Sequence, residues 1–236
     1  MKHVLDRPVW SALDTRHQAF AQGDKLARRY PLSIVPFAAT ATDDAESLQA
    51  LAKLVPPDES VIMLQADAIA LPVGLSAIST AFGVQMVAET PLRAVSDERV
   101  QRLTQDDAAE MLALASLTKP GPFTLGALSL GDFWGVKVDG RLVAMAGERM
   151  KQPGYTELSG VCSHPEFRGG GLGRLLSVFV ANQIFARGEI PYLHAYATNA
   201  AAIKLYESIG FKLRSQMHVA VVQCAVQWGP STLGVS

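Results

Sequence analysis

The stretch HPEFRGGGLGRLLSVF, residues 164–179, contains the strongest local signal in this chain. Three consecutive glycines, residues 169–171, stand between an arginine and an apolar run. Glycine inside a regular element costs about 0.5–1 kcal/mol relative to alanine, so three in a row indicate a turn or a close approach of the backbone to another group. The apolar run predicts a helix over about residues 171–187, closed by Gly188.

A glycine-rich turn before a helix can bind an anion. The first turn of a helix leaves backbone N–H groups without partners, and the helix dipole places partial positive charge there. Glycines keep side chains away from the ligand, and Arg168 and Arg174 add positive charge. The stretch predicts a phosphate or pyrophosphate over residues 168–174. The alternative is a plain strand-to-helix turn whose glycines serve tight packing.

Two familiar phosphate loops do not fit the stretch. A Walker A loop ends in GK[ST], whereas Gly173 is followed by Arg174 and Leu175. The dinucleotide fingerprint GxGxxG is not matched either. The loop alone therefore leaves the anion site and the plain turn open.

Composition narrows the class of protein. The chain has 236 residues, of which 49% are hydrophobic and 18% charged, which is typical of one large or two small globular domains with a sizeable core. A net charge of −1 provides no basic field for nucleic acid or anionic membranes. Two cysteines without a CxxC pattern are typical of a reducing compartment, so we expect a cytoplasmic protein. The five histidines show no zinc-type spacing, and we expect no metal.

One uncharged segment has nearly the length of a membrane-spanning helix. Residues 68–88 carry no charge, but Pro72, Gly74 and several polar side chains interrupt them. A spanning helix needs about 20 predominantly apolar residues. We expect a buried strand, a turn and a helix here.

Periodicity predicts the remaining elements. In the first hundred residues, helical spacing covers residues 44–55 and a buried strand covers residues 59–65. A connection near residues 88–100 leads to a helix over residues 105–117 with an acidic first turn. The later elements are a hairpin over residues 133–138 and 141–150 with an Asp139-Gly140 turn, strands over 155–163 and 191–197, a helix over 199–210 and a last strand over 211–223.

Two signatures in order resemble one family. RGGGLG fits the R/Q-x-x-G-x-G/A signature of the Gcn5-related N-acetyltransferases (GNAT), with Arg168, Gly171 and Gly173 in the defining places. TNAAAIKLYESIGFK, residues 198–212, resembles the second signature of the same family. The resemblance covers about residues 100–225 and is strongest to the FR47-like group, which is related to glycine N-acyltransferases.

The resemblance implies an α/β (α+β) fold in which helices flank a mixed, mostly antiparallel central sheet. We expect a GNAT catalytic domain over residues 96–228 and a C-terminal tail over residues 229–236. Residues 1–95 carry no catalytic signature, and our hypothesis is an N-terminal α/β region that is a degenerate half-copy of the fold.

The resemblance also implies acetyl-CoA, or another acyl-CoA, as co-substrate, without a metal. The pantetheine arm would add to the last strand before the loop through main-chain hydrogen bonds, much as an extra strand does. The expected pantetheine contacts are Val161, Cys162, Ser163, Asn199 and Tyr206. The expected pyrophosphate contacts are Arg168, Gly169, Gly170, Gly171, Leu172, Gly173 and Arg174.

Amine acylation needs a proton acceptor, because an amine with a pKa of about 10 is protonated at pH 7. Glu157 matches the position where many family members carry a glutamate base, and Glu148 on the neighbouring strand is the second candidate. Water is a third option. The alternative for both glutamates is a solvated or salt-bridged carboxylate.

The leaving thiolate benefits from a proton donor. Tyr206 lies seven residues after Asn199, two turns along one helix face, so both can point at the CoA arm. The resemblance makes Tyr206 the general acid. The alternatives are a core tyrosine and, for Asn199, a helix N-cap.

Two other polar residues have simpler interpretations. Cys162 could form an acyl-enzyme, but no histidine–carboxylate pair accompanies it, so a small buried residue is favoured. His194 lies on an apolar strand, which favours a core histidine with both nitrogens hydrogen-bonded.

The resulting hypothesis is an N-acetyltransferase in which a primary amine attacks acetyl-CoA directly. The segment over residues 113–130 is expected to form the acceptor wall, and it lacks an acidic cluster, which favours a small amino-acid-like or metabolite amine over polycations. The alternative is a non-catalytic acyl-CoA sensor, while the missing Walker lysine disfavours a nucleotide-binding regulator. The oligomeric state is open, and a homodimer is one of the options.

Overall fold

The structure is a computed structural model that describes residues 3–225, so the tail predicted over residues 229–236 lies outside the described part. Its helices are α1 (Pro8–Asp14), α2 (Ala45–Leu54), α3 (Ala108–Thr118), α4 (Leu172–Ala186) and α5 (Ala200–Ile209). Its strands are β1 (Gln22–Gly23), β2 (Ala27–Arg29), β3 (Ala38–Thr40), β4 (Ser60–Gln65), β5 (Leu75–Val87), β6 (Val100–Leu103), β7 (Phe133–Val138), β8 (Arg141–Gln152), β9 (Tyr155–Ser163), β10 (Ile190–Tyr196) and β11 (Lys212–Cys224).

Eight of these strands form one sheet in the order β4-β11-β5-β10-β9-β8-β7-β6. Within the described residues, β9 and β10 are parallel, and every other neighbouring pair in this sheet is antiparallel. Strands β1, β2 and β3 form a separate small sheet. The mixed, mostly antiparallel sheet flanked by helices confirms the fold class that the signatures imply.

Local sequence signals place most elements correctly. Asp44 caps α2 by accepting a hydrogen bond from the Ser47 amide at 2.7 Å. The Asp139-Gly140 turn joins β7 to β8 with positive φ at both residues, as a tight hairpin requires. Helix α5 begins after Asn199 and ends at Gly210, as predicted.

The prediction for residues 68–88 is wrong in part. Instead of a strand, a turn and a helix, residues Leu75–Val87 form the single 13-residue strand β5. β5 pairs with β11 along almost its whole length and with β10 at its end. Gly83 allows the close approach to β10, because a Cβ there would lie 3.2 Å from the Ala195 carbonyl oxygen. These partners come from more than 100 residues away in the sequence, so the local pattern does not reveal them.

The sheet separates two cores. Successive side chains of β8 point to opposite faces, so Ala144 and Ala146 contact the core under α4 while Met145 contacts the core under α3. Helices α4 and α5 cover the first face. On β5, β9 and β10, Met86, Leu158 and Leu193 face that same core. Their neighbours Gln85, Glu157 and His194 therefore face the opposite side.

In the described part of residues 1–95, two strands, β4 and β5, belong to the main sheet, and β5 lies between β10 and β11. The division of the chain near residue 95 stays a prediction. In physical terms, however, β10 and β11 each rely on β5 for hydrogen-bond partners.

We therefore expect a shortened chain that starts at residue 96 not to fold alone. Removing β5 leaves unpaired backbone groups on both β10 and β11, and such strand edges aggregate. Circular dichroism and size-exclusion chromatography would show an aggregated or unfolded product. Co-expression with a separate piece of residues 1–95 should restore a soluble complex. A cooperative thermal transition for residues 96–236 alone would contradict this expectation and make the two parts separate domains.

Candidate active site

The strands β9 and β10 diverge at the centre of the sheet. They pair over three positions only, the last being Tyr192 opposite Glu157, although each strand continues for several residues. Gly160 has φ of +65° at a register shift between β8 and β9, which marks a bulge that redirects β9. Val161, Cys162 and Ser163 follow this bulge. Among the described residues, their main-chain groups on the β10 side have no strand partner, so an extended ligand could pair there.

The glycine loop lies at the start of α4. Gly169 and Gly171 have φ of +82° and +77°, the left-handed conformation that favours glycine. A Cβ at either position would meet no atom within 4 Å, so packing does not require these glycines. Gly171 occupies the N-cap without a side-chain hydrogen bond to the helix, which leaves the first backbone N–H groups of α4 available. Arg168 is exposed beside them.

A cavity of about 180 Å³ opens where β9 and β10 diverge. On one side it is lined by Val161, Asn199, Ala202 and Tyr206, which belong to β9 and the start of α5. On the other side it is lined by apolar residues near the opposite face, by the loop over residues 119–122 that follows α3, and by Arg149 and His194. The cavity therefore passes between the two strands from the α5 face to the opposite face.

Glu157 lies beside this cavity, fully buried, in an ion pair with Arg149, whose side chain reaches the cavity. Its carboxylate accepts hydrogen bonds from Arg149 Nε at 2.8 Å and Nη2 at 2.7 Å, from His194 Nδ1 at 2.7 Å and from the Met150 amide at 3.3 Å. Burial by itself raises the pKa of this carboxyl. The charge of Arg149 and the hydrogen bonds from Arg149 and His194 outweigh burial, and they lower the pKa of Glu157 to about 2.

A chain of hydrogen bonds determines which ring nitrogen of His194 donates and which accepts. Arg214 Nη1 donates to Gln85 Oε1 at 2.7 Å, so the Gln85 amide nitrogen donates to the Leu5 carbonyl and faces His194 Nε2 at 2.9 Å. His194 Nε2 is thus the acceptor, and Nδ1 carries the proton that it donates to Glu157. Both ring nitrogens have partners, as the interpretation of a core histidine predicts.

The two candidate bases are both engaged in ion pairs. Glu148 is fully buried, accepts a hydrogen bond from Arg187 Nη2 at 2.5 Å and forms an ion pair with Lys151 Nζ at 2.8 Å. In the described part of the chain, neither Glu148 nor Glu157 reaches the cavity wall, whereas Arg149 does. Each carboxylate matches the salt-bridged alternative stated above. Their roles as bases stay predictions, and Glu157 would have to release a hydrogen bond to accept a proton.

Tyr206 lines the cavity and is buried, with 8% of its surface exposed. Within residues 3–225 its hydroxyl has no hydrogen-bond partner, and burial raises its pKa to about 12. The hydroxyl therefore stays protonated at neutral pH and is free to donate. Asn199 both lines the cavity and caps α5, accepting from the Ala202 amide at 3.2 Å. Because the side-chain oxygen of Asn199 forms the cap, its side-chain amide nitrogen can still donate to a ligand.

Cys162 packs in the core under α3. Burial raises the pKa of its thiol to about 11, so it carries no thiolate at neutral pH. This agrees with a small buried residue rather than a nucleophile. In residues 3–225, no group of three or more His, Cys, Asp or Glu is arranged to hold a metal ion. None of the helices in that range is long and apolar enough to cross a membrane.

Sequence reasoning missed several residues of the cavity. Arg149 had a recognisable signal, since it directly follows the candidate base Glu148 in the same strand. The sequence gives no signal for three further cavity residues from residues 1–95, namely Phe37, Ile62 and Leu64. Apolar residues in a buried strand or loop usually belong to the hydrophobic core. The loop over residues 119–122 lies within the segment predicted to form the acceptor wall.

We expect Gly173→Glu to weaken CoA binding by more than about tenfold, because a carboxylate at the start of α4 competes with the phosphate for the backbone N–H groups. Gly173→Ala is the matched control. A Cβ at this position meets only Leu205 Cδ2 at 3.9 Å, so the alanine variant should fold and bind CoA normally. Gly173→Gln, whose side chain has nearly the size of glutamate but no charge, shows how much of the loss in CoA affinity is due to the charge. Calorimetric titration with CoA measures all three, and unchanged affinity in a folded glutamate variant would remove the loop from the site.

We expect Glu157→Gln to lower the free energy of unfolding by about 3–5 kcal/mol, because it leaves the buried Arg149 charge without its counter-ion. Glu207→Gln, at an exposed position, should change stability by no more than about 0.5 kcal/mol.

The pKa of Glu157 is depressed in the folded state. Its stabilisation is therefore complete above its ordinary value of 4.5 and lost as the pH falls towards 2. Urea unfolding at several pH values measures both effects, and equal stability of the two variants at pH 7 would contradict the ion pair.

Similarity to solved structures extends over almost the whole chain. A structure from Novosphingobium aromaticivorans DSM 12444, described as an acetyltransferase of the GNAT family, is 40% identical with a TM-score of 0.91, and the match covers 95% of this chain and 100% of that chain. A GCN5-related N-acetyltransferase from Kribbella flavida is 14% identical with a TM-score of 0.64, over 93% of this chain and 96% of that chain. The second likeness concerns the fold alone.

Sequence comparison points to the same part of the chain as the two signatures. A family model described as FR47-like protein matches residues 135–220. A [ribosomal protein bS18]-alanine N-acetyltransferase from Salmonella typhimurium is 42% identical over 55 residues, which are 23% of this chain and 37% of that protein. The match thus spans little more than a third of that relative's length. With a relative 40% identical over its full length, the chain belongs to the GNAT family of acetyltransferases, and its residues 135–220 are FR47-like.

Proposed function

We propose that this protein is an acyl-CoA-dependent N-acyltransferase that moves an acetyl group from acetyl-CoA to the primary amine of a small acceptor by direct attack. The observation that carries the proposal is the cavity between β9 and β10. It joins the α5 face, where the glycine loop and Tyr206 lie, to the opposite face, where an acceptor can enter. Membership of the GNAT family supports the same reaction class.

Acetyl-CoA would occupy the α5 face. Its pyrophosphate would accept hydrogen bonds from the free N–H groups between Arg168 and Arg174, with the two guanidinium groups adding charge. Its pantetheine arm would pair with the main chain of Val161, Cys162 and Ser163 along the free side of β9. Asn199 would contact the arm from the start of α5. The thioester then lies in the gap between the strands.

The transfer is a single displacement with balanced charge. The amine nitrogen attacks the thioester carbonyl carbon, the new C–N bond forms, and the C–S bond breaks. The ammonium group gives one proton to solvent before the attack, and the nitrogen gives up a further proton, through water, as the amide forms. The leaving thiolate gains one proton to become the CoA thiol. Tyr206 is the proposed donor of the thiol proton, since its hydroxyl is protonated and has no partner in residues 3–225. The proton released as the amide forms then restores the Tyr206 hydroxyl.

The proton from the amine needs a separate acceptor. With a pKa of about 2, Glu157 is ionised throughout the neutral range but is a weak base, and its oxygens already accept hydrogen bonds from Arg149, His194 and Met150. We propose that water in the cavity removes the amine proton and that Glu157 acts by holding Arg149 and His194 at the wall. Any limb of the pH–rate profile between pH 5 and 9 then belongs to the acceptor or to another group, not to Glu157.

A second acceptor class follows from one comparison. The match to a ribosomal-protein alanine N-acetyltransferase favours a peptide with an N-terminal alanine as a candidate substrate. Such a peptide and a panel of small amines can be compared in one assay that measures release of free CoA.

The non-catalytic alternative is tested in the same experiment. A thermal shift with CoA and acetyl-CoA, but not with ATP, would establish the ligand class. Amine-dependent CoA release would then establish turnover. Binding without release by any amine or peptide would leave an acyl-CoA sensor and overturn the enzyme proposal.

We expect Tyr206→Phe to lower kcat by about 10²-fold or more while leaving the melting temperature and the affinity for acetyl-CoA nearly unchanged. The phenylalanine keeps the ring, and the lost hydroxyl has no hydrogen-bond partner within the described residues, so stability has little to lose. The loss should shrink for acyl donors whose leaving thiol is more acidic, because that thiolate needs the proton less.

Tyr155→Phe is the matched control. Tyr155 bonds His3 at 3.3 Å and does not line the cavity, so its variant should keep full turnover. If Tyr206→Phe and the unaltered protein turn over several acyl donors equally fast, Tyr206 has only a packing role, and water protonates the leaving thiolate.

A further inference from the structure

The wall of the cavity opposite α5 combines apolar side chains with positive charge. Phe37, Ile62, Leu64 and Val219 supply the apolar part. The charged side chains that line the cavity in the described residues are Lys119 and Arg149, and no Asp or Glu lines it there. An acceptor that enters from this side therefore meets an apolar surface and cations.

The two cations are not equivalent. Arg149 is neutralised by the bidentate pair with Glu157, and its guanidinium lies 4.9 Å from the centre of the Phe37 ring, so it forms part of the wall. Lys119 is exposed and makes no ion pair within residues 3–225. The unbalanced charge of this wall is therefore carried by Lys119.

The backbone of Lys119 supplies an independent observation. Lys119 is the C-cap of α3 with φ of +51° and ψ of +56°, a left-handed conformation in which glycine or asparagine is usual. Non-glycine residues adopt it at a cost in stability, and such strain is concentrated at functional sites. Its amide donates a hydrogen bond to the Ala115 carbonyl at 2.7 Å, which holds the conformation, whereas the following Pro120 by itself favours an extended residue before it.

We propose that the acceptor carries a carboxylate and a compact apolar group beside its primary amine, as an apolar amino acid does, and that Lys119 binds the carboxylate. The proposal rests on the proposed function and narrows its substrate class. The apolar body lies against Phe37, Ile62 and Leu64, and the amine points towards the gap between β9 and β10. Polycationic amines are disfavoured, because the wall offers them no carboxylate and repels their charge.

A set of related acceptors tests whether the carboxylate of the acceptor is recognised, independently of its amine and its apolar side chain. With acetyl-CoA as donor, L-leucine, L-leucinamide and 3-methylbutylamine share one side chain and one amine but differ in the anionic group, and spermidine tests the polycation. The kcat/KM measured by CoA release should be about 10- to 100-fold higher for L-leucine than for either analogue that lacks the carboxylate, the usual effect of one charge-assisted hydrogen bond. Spermidine should be the poorest acceptor.

Variants of Lys119 test the residue itself. Lys119→Asn removes the charge but adopts the left-handed conformation readily, so it should raise KM for L-leucine about 10- to 100-fold while keeping or raising the melting temperature. KM for L-leucinamide and the dissociation constant of CoA should not change. Lys119→Arg should retain most of the preference for L-leucine. The matched control is Asp139→Asn, at the other non-glycine residue with positive φ in residues 3–225, which lies in the β7–β8 turn and does not line the cavity.

Three outcomes would overturn the proposal. If L-leucinamide is as good an acceptor as L-leucine, the carboxylate is not recognised, although CoA release would still support the proposed function. If Lys119→Asn weakens CoA instead of the acceptor, Lys119 belongs to the cofactor side. If no amine in the panel releases CoA, the proposed function fails and this inference fails with it.

Discussion

The short parallel pairing of β9 with β10 is the constraint on which the rest of the site depends. Three residue pairs hold the strands together, and the bulge at Gly160 then turns β9 away. The divergence leaves main-chain groups free along β9 and opens a passage through the sheet. It also places the start of α4, which follows β9, and the start of α5, which follows β10, beside that opening. The position of the glycine loop and the presence of the cavity thus both follow from the early end of the hydrogen-bonded pairing between β9 and β10.

The buried ion pair of Glu157 with Arg149 lies where this ladder ends. Burying two charges is costly, and the structure offsets that cost with hydrogen bonds from Arg149, His194 and the Met150 amide. The chain from His194 through Gln85 and Arg214 also ties this point to the first residues of the protein. Such a network fixes the position of Arg149 at the cavity wall more than it adds net stability.

The region over residues 1–95 is part of both the sheet and the site. Its strand β5 provides partners for β10 and β11, and Phe37, Ile62 and Leu64 form the apolar side of the cavity. This explains how a segment without any catalytic signature can bear on function. It completes the sheet around the opening and supplies the surface that an acceptor would contact, whereas the residues proposed for CoA and for proton transfer come from the FR47-like part.

The sequence by itself determined the glycine loop, the α5 signature, the hairpin at Asp139-Gly140 and the family, because each depends on residues close together in the chain. Capping, turn geometry and left-handed glycines are local physical signals. Tertiary structure alone decided that residues 75–87 form one strand, that Glu157 is paired with Arg149, and that Lys119 faces a cavity lined by Phe37. These features depend on strand pairing and burial between segments far apart in the sequence, and periodicity within one segment carries no information about its distant partners.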